Sequence, residues 1–158
     1  MTVARCIEVV LTIPDNEART ALATLQRLGV AAGALERADL YRCDVEAAEA
    51  DRLVATLRGV ETIFNPNKHA LRVRSGDAPS PGEVWVEEVG RSANTARRGA
   101  LRLGGRPLPG VARLARATVW RLFDGAGEPA AAMLVREAAE TLLCNPSFQK
   151  ATMHDDRT

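Results

Sequence analysis

The chain has 158 residues, of which 46% are apolar, and its 21 basic and 20 acidic side chains leave a net charge of +1. The numbers of basic and acidic side chains are nearly equal, which excludes a protein that is held to nucleic acid or to membranes by bulk charge. Aromatic residues make up only 4% of the chain, too few for the stacking platforms that single-stranded nucleic acid requires. The length allows one ordinary domain or two small ones.

The first apolar run, CIEVVL at residues 6–11, predicts a strand at about residues 4–13. It contains a glutamate and lacks the small-residue cleavage site of a secretory signal. No run approaches the roughly 20 apolar residues of a membrane span. Cys6, Cys43 and Cys144 are far apart and form no Cys-x-x-Cys pair, so they predict neither a disulfide framework nor a zinc site. These features predict a soluble, cytoplasmic protein with buried thiols.

A helix follows, because five apolar residues recur at helical spacing: Ala18, Ala21, Leu22, Leu25 and Leu28. Asp15 or Asn16 can cap its first turn, and Gly29 supplies a left-handed residue at its end. A strand is predicted at residues 35–45. A second helix carries Ala50, Leu53, Val54 and Leu57. Gly59 can stop that helix, which would leave residues 60–64 as a strand and Asn65-Pro66-Asn67-Lys68 as a turn.

The second half of the chain has the same order of elements after a linker at residues 75–82, SGDAPSPG. Strands are predicted at residues 83–89 and 113–123, with a helix between them. The last helix carries Met133, Leu134, Ala138, Leu142 and Leu143. Pro146 cannot donate an amide hydrogen and disfavours a helical Asn145, so we expect the helix to end there and an extended segment to begin. The matching pair Asn65-Pro66 lies 80 positions earlier, and the sequence leaves open whether the two pairs are equivalent.

The two halves are related by an internal duplication. At an offset of 75, residues 18–29 and 93–104 are identical at six of twelve positions. The offset grows to 79 between residues 37–42 and 116–121, and to 80 at the Asn-Pro pairs. The order strand, helix, strand, helix, strand with short connections predicts an α+β fold, a mostly antiparallel sheet with helices on one face. We therefore predict repeats at residues 1–74 and 83–152, with a polar tail at 153–158.

The last helix and its exit, VREAAETLLCNP at residues 135–146, resemble the C-terminal region of the PurS family, in which a helix ending in Leu-Leu-Ala-Asn-Pro runs into the last strand. The Leu-Gly ending of the first helix, at Leu28-Gly29 and Leu103-Gly104, also resembles that family. Each half shows the resemblance separately, so the chain looks like two PurS-like modules in tandem.

PurS is the small subunit of phosphoribosylformylglycinamidine synthase, and the resemblance implies a non-catalytic role in purine biosynthesis. PurS-like proteins associate with a glutaminase subunit and an ATP-dependent ligase subunit and help ammonia pass from one site to the other. The resemblance thus implies a component of a glutamine-dependent amidotransferase complex, without a catalytic site, cofactor or metal of its own. The chain could also associate with further copies of itself.

Four residues are candidate contacts with these partners. Tyr41 and Trp120 occupy equivalent positions in the two repeats, and such residues dominate interface energetics. Packing in the core or on the sheet face is the alternative for both, and for Trp85. Arg97 and Arg98 lie in an arginine-rich segment that could meet phosphate or an acidic partner, or simply form a solvated helix face.

The sequence offers little reactive chemistry. We expect His69 to be a structural or exposed residue and His154 to lie in the polar tail. Cys144 follows a helix whose dipole disfavours a thiolate, which predicts a core thiol. The glycine pairs at 104–105 and at 125 and 127 lack phosphate-loop spacing and predict turns.

Two other functions fit the same pattern. Paired α+β units of this size could form a regulatory module that binds an amino acid or a nucleotide between the repeats. Alternatively, a stand-alone enzyme could use Arg97 and Arg98 to hold a phosphorylated substrate, although no acid-base pair accompanies them.

Overall fold

A computed structural model, which describes residues 1–89, 102–103 and 106–154, confirms the α+β class. Its strands are β1 (Thr2–Leu11), β2 (Ala34–Glu46), β3 (His69–Arg74), β4 (Glu83–Glu88), β5 (Arg102–Leu103), β6 (Arg106–Pro107), β7 (Val111–Phe123) and β8 (Gln149–Met153). Six of the described strands form one antiparallel sheet in the order β3-β1-β2-β7-β4-β8, and β5 pairs with β6 separately.

Three α-helices lie in the described part of the chain: α1 (Asn16–Arg27), α2 (Leu53–Arg58) and α3 (Ala132–Ala138). A 3₁₀ helix, Ala47–Arg52, leads into α2, and a π-helical turn, Ala139–Leu143, follows α3. Not one of these helices has the length and apolar character needed to cross a membrane.

Two compact units interleave along the sequence. The first unit consists of Met1–Ile13, Asp39–Asp77 and the described part of Gly90–Ala117. The second unit consists of Pro14–Ala38, Ala78–Val89 and the described part of Thr118–Thr158. Helix α1 therefore belongs to the second unit although it lies in the first half of the chain, and β2 and β7 each contribute residues to both units. The prediction of two consecutive units is accordingly not confirmed by the packing.

The first unit has its core between β1, β2 and the helical segment that ends with α2. Strand β1 pairs antiparallel with β3, from Cys6 opposite Arg74 to Leu11 opposite His69. The fully buried leucines of α2 are Leu53 and Leu57, spaced one helical turn apart. Other members of this core are Ile7, Val9, Tyr41, Cys43, Val45 and Leu114.

The second unit has its core between α1, α3 and the strands β4, β7 and β8. Strand β4 pairs antiparallel with β7 on one side and with β8 on the other. The side chain of Asp15 caps α1 by accepting a hydrogen bond from the Ala18 amide at 3.0 Å, as predicted. Core members include Leu25, Val84, Leu122, Val135, Ala138 and Leu143.

Three local predictions are wrong. Residues 60–64 form no strand, because the amides of Ile63 and Phe64 both donate to the Val60 carbonyl in a helical turn that buries Val60 and Ile63. Met133 is 86% exposed, since α3 turns Val135 and Ala138 inward instead. The predicted tail at 153–158 also begins too early, because Met153 is buried in β8. The left-handed Gly29 is confirmed, with φ of +88°.

Candidate functional site

The two Asn-Pro pairs form turns with the same hydrogen bonds, which answers the question that the sequence left open. The Asn65 side-chain oxygen accepts from the Asn67 amide at 2.9 Å, and that of Asn145 accepts from the Ser147 amide at 3.0 Å. Each asparagine thus closes a side-chain turn over its proline. We call residues 65–69 the first Asn-Pro turn and residues 145–149 the second.

In each turn the backbone carbonyl of the asparagine also accepts two hydrogen bonds from amides farther along the turn. In the first turn the Asn65 carbonyl accepts from the amides of Lys68 at 3.1 Å and His69 at 2.9 Å. In the second turn the Asn145 carbonyl accepts from the amides of Phe148 at 3.2 Å and Gln149 at 2.8 Å. The chain is thereby turned directly into the following strand, β3 or β8. The turn predicted at residues 65–68 is confirmed, whereas the extended segment predicted after Pro146 is wrong.

A side chain from the following strand completes each turn. The Asn65 amide donates to Nδ1 of His69 at 2.9 Å, and the Asn145 amide donates to Oε1 of Gln149 at 2.8 Å. Histidine and glutamine thus supply the same acceptor at positions 80 apart. His69 is therefore structural, as expected, but its role could have been found only by aligning it with Gln149.

Both turns are bound in the same way to the end of a neighbouring strand. The Thr12 amide donates to the Lys68 carbonyl at 2.9 Å, and the Val89 amide donates to the Phe148 carbonyl at 2.9 Å. The exposed side chains differ, however. Val89 is 47% and Phe148 is 44% exposed, whereas threonine and lysine occupy these places at the first turn. The second turn therefore presents apolar surface that the first does not.

Two glutamates, Glu8 and Glu83, are buried in the described part of the chain and align at the offset of 75. The Glu83 carboxylate accepts from Nε of Arg121 at 2.6 Å, from the Ser80 amide at 2.8 Å and from the Trp85 indole at 3.3 Å. Such a buried carboxylate is held in place by its charge partner and its additional donors. The repeat in the sequence places the two glutamates at equivalent positions, but it does not predict that they are buried.

Glu8 is bound by an arginine of a different strand. Its carboxylate accepts from Nη1 of Arg74 at 2.6 Å, across the β1–β3 pair. The two buried carboxylates are thus both paired with arginines, Glu8 within the first unit and Glu83 within the second.

The predicted partner contacts fall in different environments. Tyr41 is only 3% exposed in the core of the first unit, where burial raises the pKa of its phenol against the opposing charge of Arg116. Trp120 is half-buried against the core of the second unit, with the Arg37 guanidinium 5.9 Å from its ring centroid. Tyr41 is therefore packed in the core and is not accessible to a partner, whereas Trp120 retains some accessible surface.

Arg37 is itself anchored to the start of α1. It donates to the Asp15 carboxylate at 3.1 Å and forms an ion pair with Glu17. This arrangement fixes the guanidinium beside Trp120. The other two predicted contacts, Arg97 and Arg98, lie outside the described residues.

The cysteines are thiols in this structure. Burial raises the pKa of Cys43 to about 12, and it also raises the pKa of Cys6 and of the half-buried Cys144. None of them is therefore an activated nucleophile at neutral pH. Within the described ranges, no three histidine, cysteine or acidic side chains are grouped to hold a metal ion.

A pocket of about 260 Å³ lies in the second unit beside Glu83. The segment before β4, the segment leading into α3 and the end of β8 form its walls. Arg136 and His154 are the basic residues at this pocket, and Nδ1 of His154 lies 3.1 Å from the Pro79 carbonyl oxygen.

Comparison with known proteins yields no family: no protein-family model matches the chain, and no curated protein matches it significantly.

Proposed function

We propose that the chain is a PurS-like accessory subunit of phosphoribosylformylglycinamidine synthase, which bridges the glutaminase and ligase subunits and aids ammonia transfer in purine biosynthesis. The observation that carries the proposal is the shared hydrogen bonding of the two Asn-Pro turns. The second turn begins at the Asn-Pro pair that ends the segment resembling the PurS family, and the first turn repeats its bonds around different side chains. Two copies of one PurS-like element account for this repetition.

The strand order supports the same duplication. Strands β1, β2 and β3 of the first half correspond to β4, β7 and β8 of the second half at the sequence offsets. In the order β3-β1-β2-β7-β4-β8, corresponding strands lie at equal distances from the two edges: β3 and β8 are the edge strands, β1 and β4 come next, and β2 and β7 are at the centre. Such an order is expected when two copies of one small α+β element combine in one sheet.

An accessory role requires complementary surface, since a bridging subunit positions its partners and contributes no reacting group. The apolar surface at Val89 and Phe148 and the accessible part of Trp120 are the described features that suit such contacts. Arg97 and Arg98 remain proposed contacts. All of these surfaces are in or flank segments that resemble PurS-like repeats.

Co-purification tests the proposal directly. We expect the tagged chain to retain both the glutaminase and the ligase subunit on a column, and the variant Phe148→Lys to retain them less well. The matched control is Lys68→Phe, which makes the opposite exchange at the corresponding position of the first turn and should leave partner retention unchanged. Arg98→Ala should leave the fold intact while weakening partner retention. Failure of the unmodified chain to retain either subunit would contradict the proposal.

A second candidate is a regulatory module that binds an amino acid or a nucleotide, and the pocket in the second unit favours it, although that pocket is not at the predicted site between the repeats. It predicts that a ligand raises the melting temperature of the isolated chain without any partner. The accessory-subunit proposal predicts stabilisation by the partner subunits instead.

A further inference from the structure

The outer edge of β3 is open in the described part of the chain. Strand β3 stands at one end of the sheet order, and β1 is its only neighbour among the described strands. The register with β1 runs unbroken from His69 to Arg74, and the strand contains no proline. Bulges and prolines are two of the devices that protect an edge from pairing with another chain. Without them, the edge of β3 can accept a further strand.

The backbone groups of two residues in β3 face this open side. In an antiparallel pair, the N–H and C=O of one residue point to the same side, and that side alternates along the strand. The Lys68 carbonyl accepts from the Thr12 amide at 2.9 Å, which continues the β1–β3 register, so Lys68 directs its backbone groups toward β1. Arg72 has the same orientation, whereas Leu71 and Val73 direct theirs outward. An added strand would therefore meet two N–H donors and two C=O acceptors.

The side chains of this edge are basic on one face and apolar on the other. Arg72 is exposed and forms no ion pair within the described part of the chain. Glu8 lies opposite Arg72 in the register, but its carboxylate is bound by Arg74 at 2.6 Å. On the other face, Leu71 packs against the core of the first unit, and Val73 is 58% exposed. The edge thus offers one unpaired cation between two apolar positions.

The charge of the edge favours an acidic occupant over a second copy of the chain. Strand β3 carries Arg72 and Arg74 and no acidic residue. The edge strand at the other end of the sheet order, β8, carries Lys150 and likewise no acidic residue. A second copy that added either strand to β3 would bring basic side chains together, which destabilises a cross-strand pair. A strand with acidic side chains gains attraction at the same positions.

We infer that the outer edge of β3 binds an extended acidic segment of a partner protein as an added antiparallel strand. An acidic residue of that segment lies opposite Arg72, and apolar residues lie opposite Leu71 and Val73. The pair at Arg72 is of the non-hydrogen-bonded kind, in which the two side chains are closest. Backbone hydrogen bonds supply affinity, and the alternating side chains supply specificity. The inference does not depend on the accessory-subunit proposal, since any partner with such a segment satisfies it.

The test is a titration of the full chain with a short capped peptide in which valine alternates with glutamate, followed by NMR. We expect the peptide to bind and to slow amide exchange at Leu71 and Val73. Ala151 is the internal control, because its amide faces the outer side of β8 and its exchange should not change. The same peptide with lysine in place of glutamate should bind about tenfold more weakly.

Methylation of the peptide backbone separates strand addition from simple charge attraction. Methyl groups on the valine amides remove the donors that face β3 and should abolish binding. Methyl groups on the glutamate amides point away from β3 and should leave binding nearly unchanged. These peptides require no substitution in the protein, so the comparison holds even if a variant folds poorly.

Two variants test the charge preference. Arg72→Glu should reverse it, so that the lysine peptide binds more tightly than the glutamate peptide. Lys150→Glu makes the same change at an exposed position of β8 and should leave both affinities unchanged. No binding of the glutamate peptide, tighter binding of the lysine peptide to the unmodified chain, or binding that survives methylation of the valine amides would each overturn the inference.

Sedimentation of the chain without peptide tests the competing occupant. We expect no association through β3. Val73→Pro removes one outward N–H donor and no bond to β1, so it should weaken peptide binding and leave the sedimentation of the chain unchanged. A dimer that Val73→Pro dissociates would show that a second copy occupies this edge, and it would overturn the assignment to an acidic partner.

Discussion

Protonation of His69 should loosen the first Asn-Pro turn and leave the second turn unchanged. The Asn65 amide donates to Nδ1 of His69, and a protonated imidazole carries a hydrogen on both nitrogens and cannot accept that bond. The acceptor of the second turn, Gln149, does not titrate. Acid should therefore break the final hydrogen bond of one turn only.

The sign of the effect follows from the direction of the pKa shift. Partial burial and the neighbouring Lys68 lower the pKa of His69 below its ordinary value of 6.5, and the charge of Asp39 raises it by less. Neutral His69 therefore stabilises the fold fully above about pH 6.5. This contribution declines as the pH falls below the unfolded-state pKa, and its loss is complete below the folded-state pKa.

The stability lost on protonation of His69 is that of one hydrogen bond with a half-buried donor. Such a bond contributes about 0.5–1.5 kcal/mol to the free energy of unfolding. For a chain of 158 residues, 1 kcal/mol corresponds to a change of about 2–4 °C in melting temperature. His69→Ala should therefore lower the melting temperature by roughly this amount at neutral pH.

The assay is urea unfolding at a series of pH values from about 8 to 5. His69→Gln gives the first turn the acceptor of the second, so it should keep the neutral-pH stability and lose the acid-dependent part. Gln149→His should make the second turn acid-sensitive as well. Amide exchange at Asn65 should accelerate in acid, relative to its intrinsic rate, in the unmodified chain and in Gln149→His but not in His69→Gln. Identical pH profiles for His69→Gln and the unmodified chain would refute the reasoning.

Three further substitutions test the second unit by the free energy of unfolding. Glu83→Ala removes the carboxylate that pairs with the largely buried Arg121 and should cost about 3–5 kcal/mol; a cost below 1 kcal/mol would contradict the ion pair. Gly82→Ala should cost about 1–2 kcal/mol or more because of its positive φ and the adjacent backbone, whereas Gly125→Ala, with open space around it, should be nearly neutral. Leu25→Ala should cost about 2–5 kcal/mol, since this leucine is fully buried, and a near-neutral result would exclude it from the core.

The periodicity of the sequence predicts the main elements because it records which side of each element is buried. Strand β2 was predicted at 35–45 and is found at Ala34–Glu46, and the strand predicted at 113–123 is found at Val111–Phe123. The interleaving of the units was not predictable in this way. The leucines of α1 show that it has an apolar face, but they do not show which strands that face covers.

The turns and the buried glutamates show a similar limit. Proline chemistry predicted that Asn145 would end the helix, but the acceptor role of Gln149 depends on how the chain folds back after the turn. Burial of Glu8 depends on Arg74, which is 66 positions away in sequence and reaches it only through the pairing of β1 with β3. Contacts of this kind require the sheet register, which local patterns do not contain.

Reconstituted amide transfer most directly tests the proposal that the chain couples a glutaminase to a ligase. The purified ligase and glutaminase subunits are assayed with and without the chain, once with glutamine and once with ammonia as the nitrogen source. We predict that the chain raises the glutamine-dependent rate strongly and changes the ammonia-dependent rate little. Equal glutamine-dependent rates with and without the chain would contradict the account.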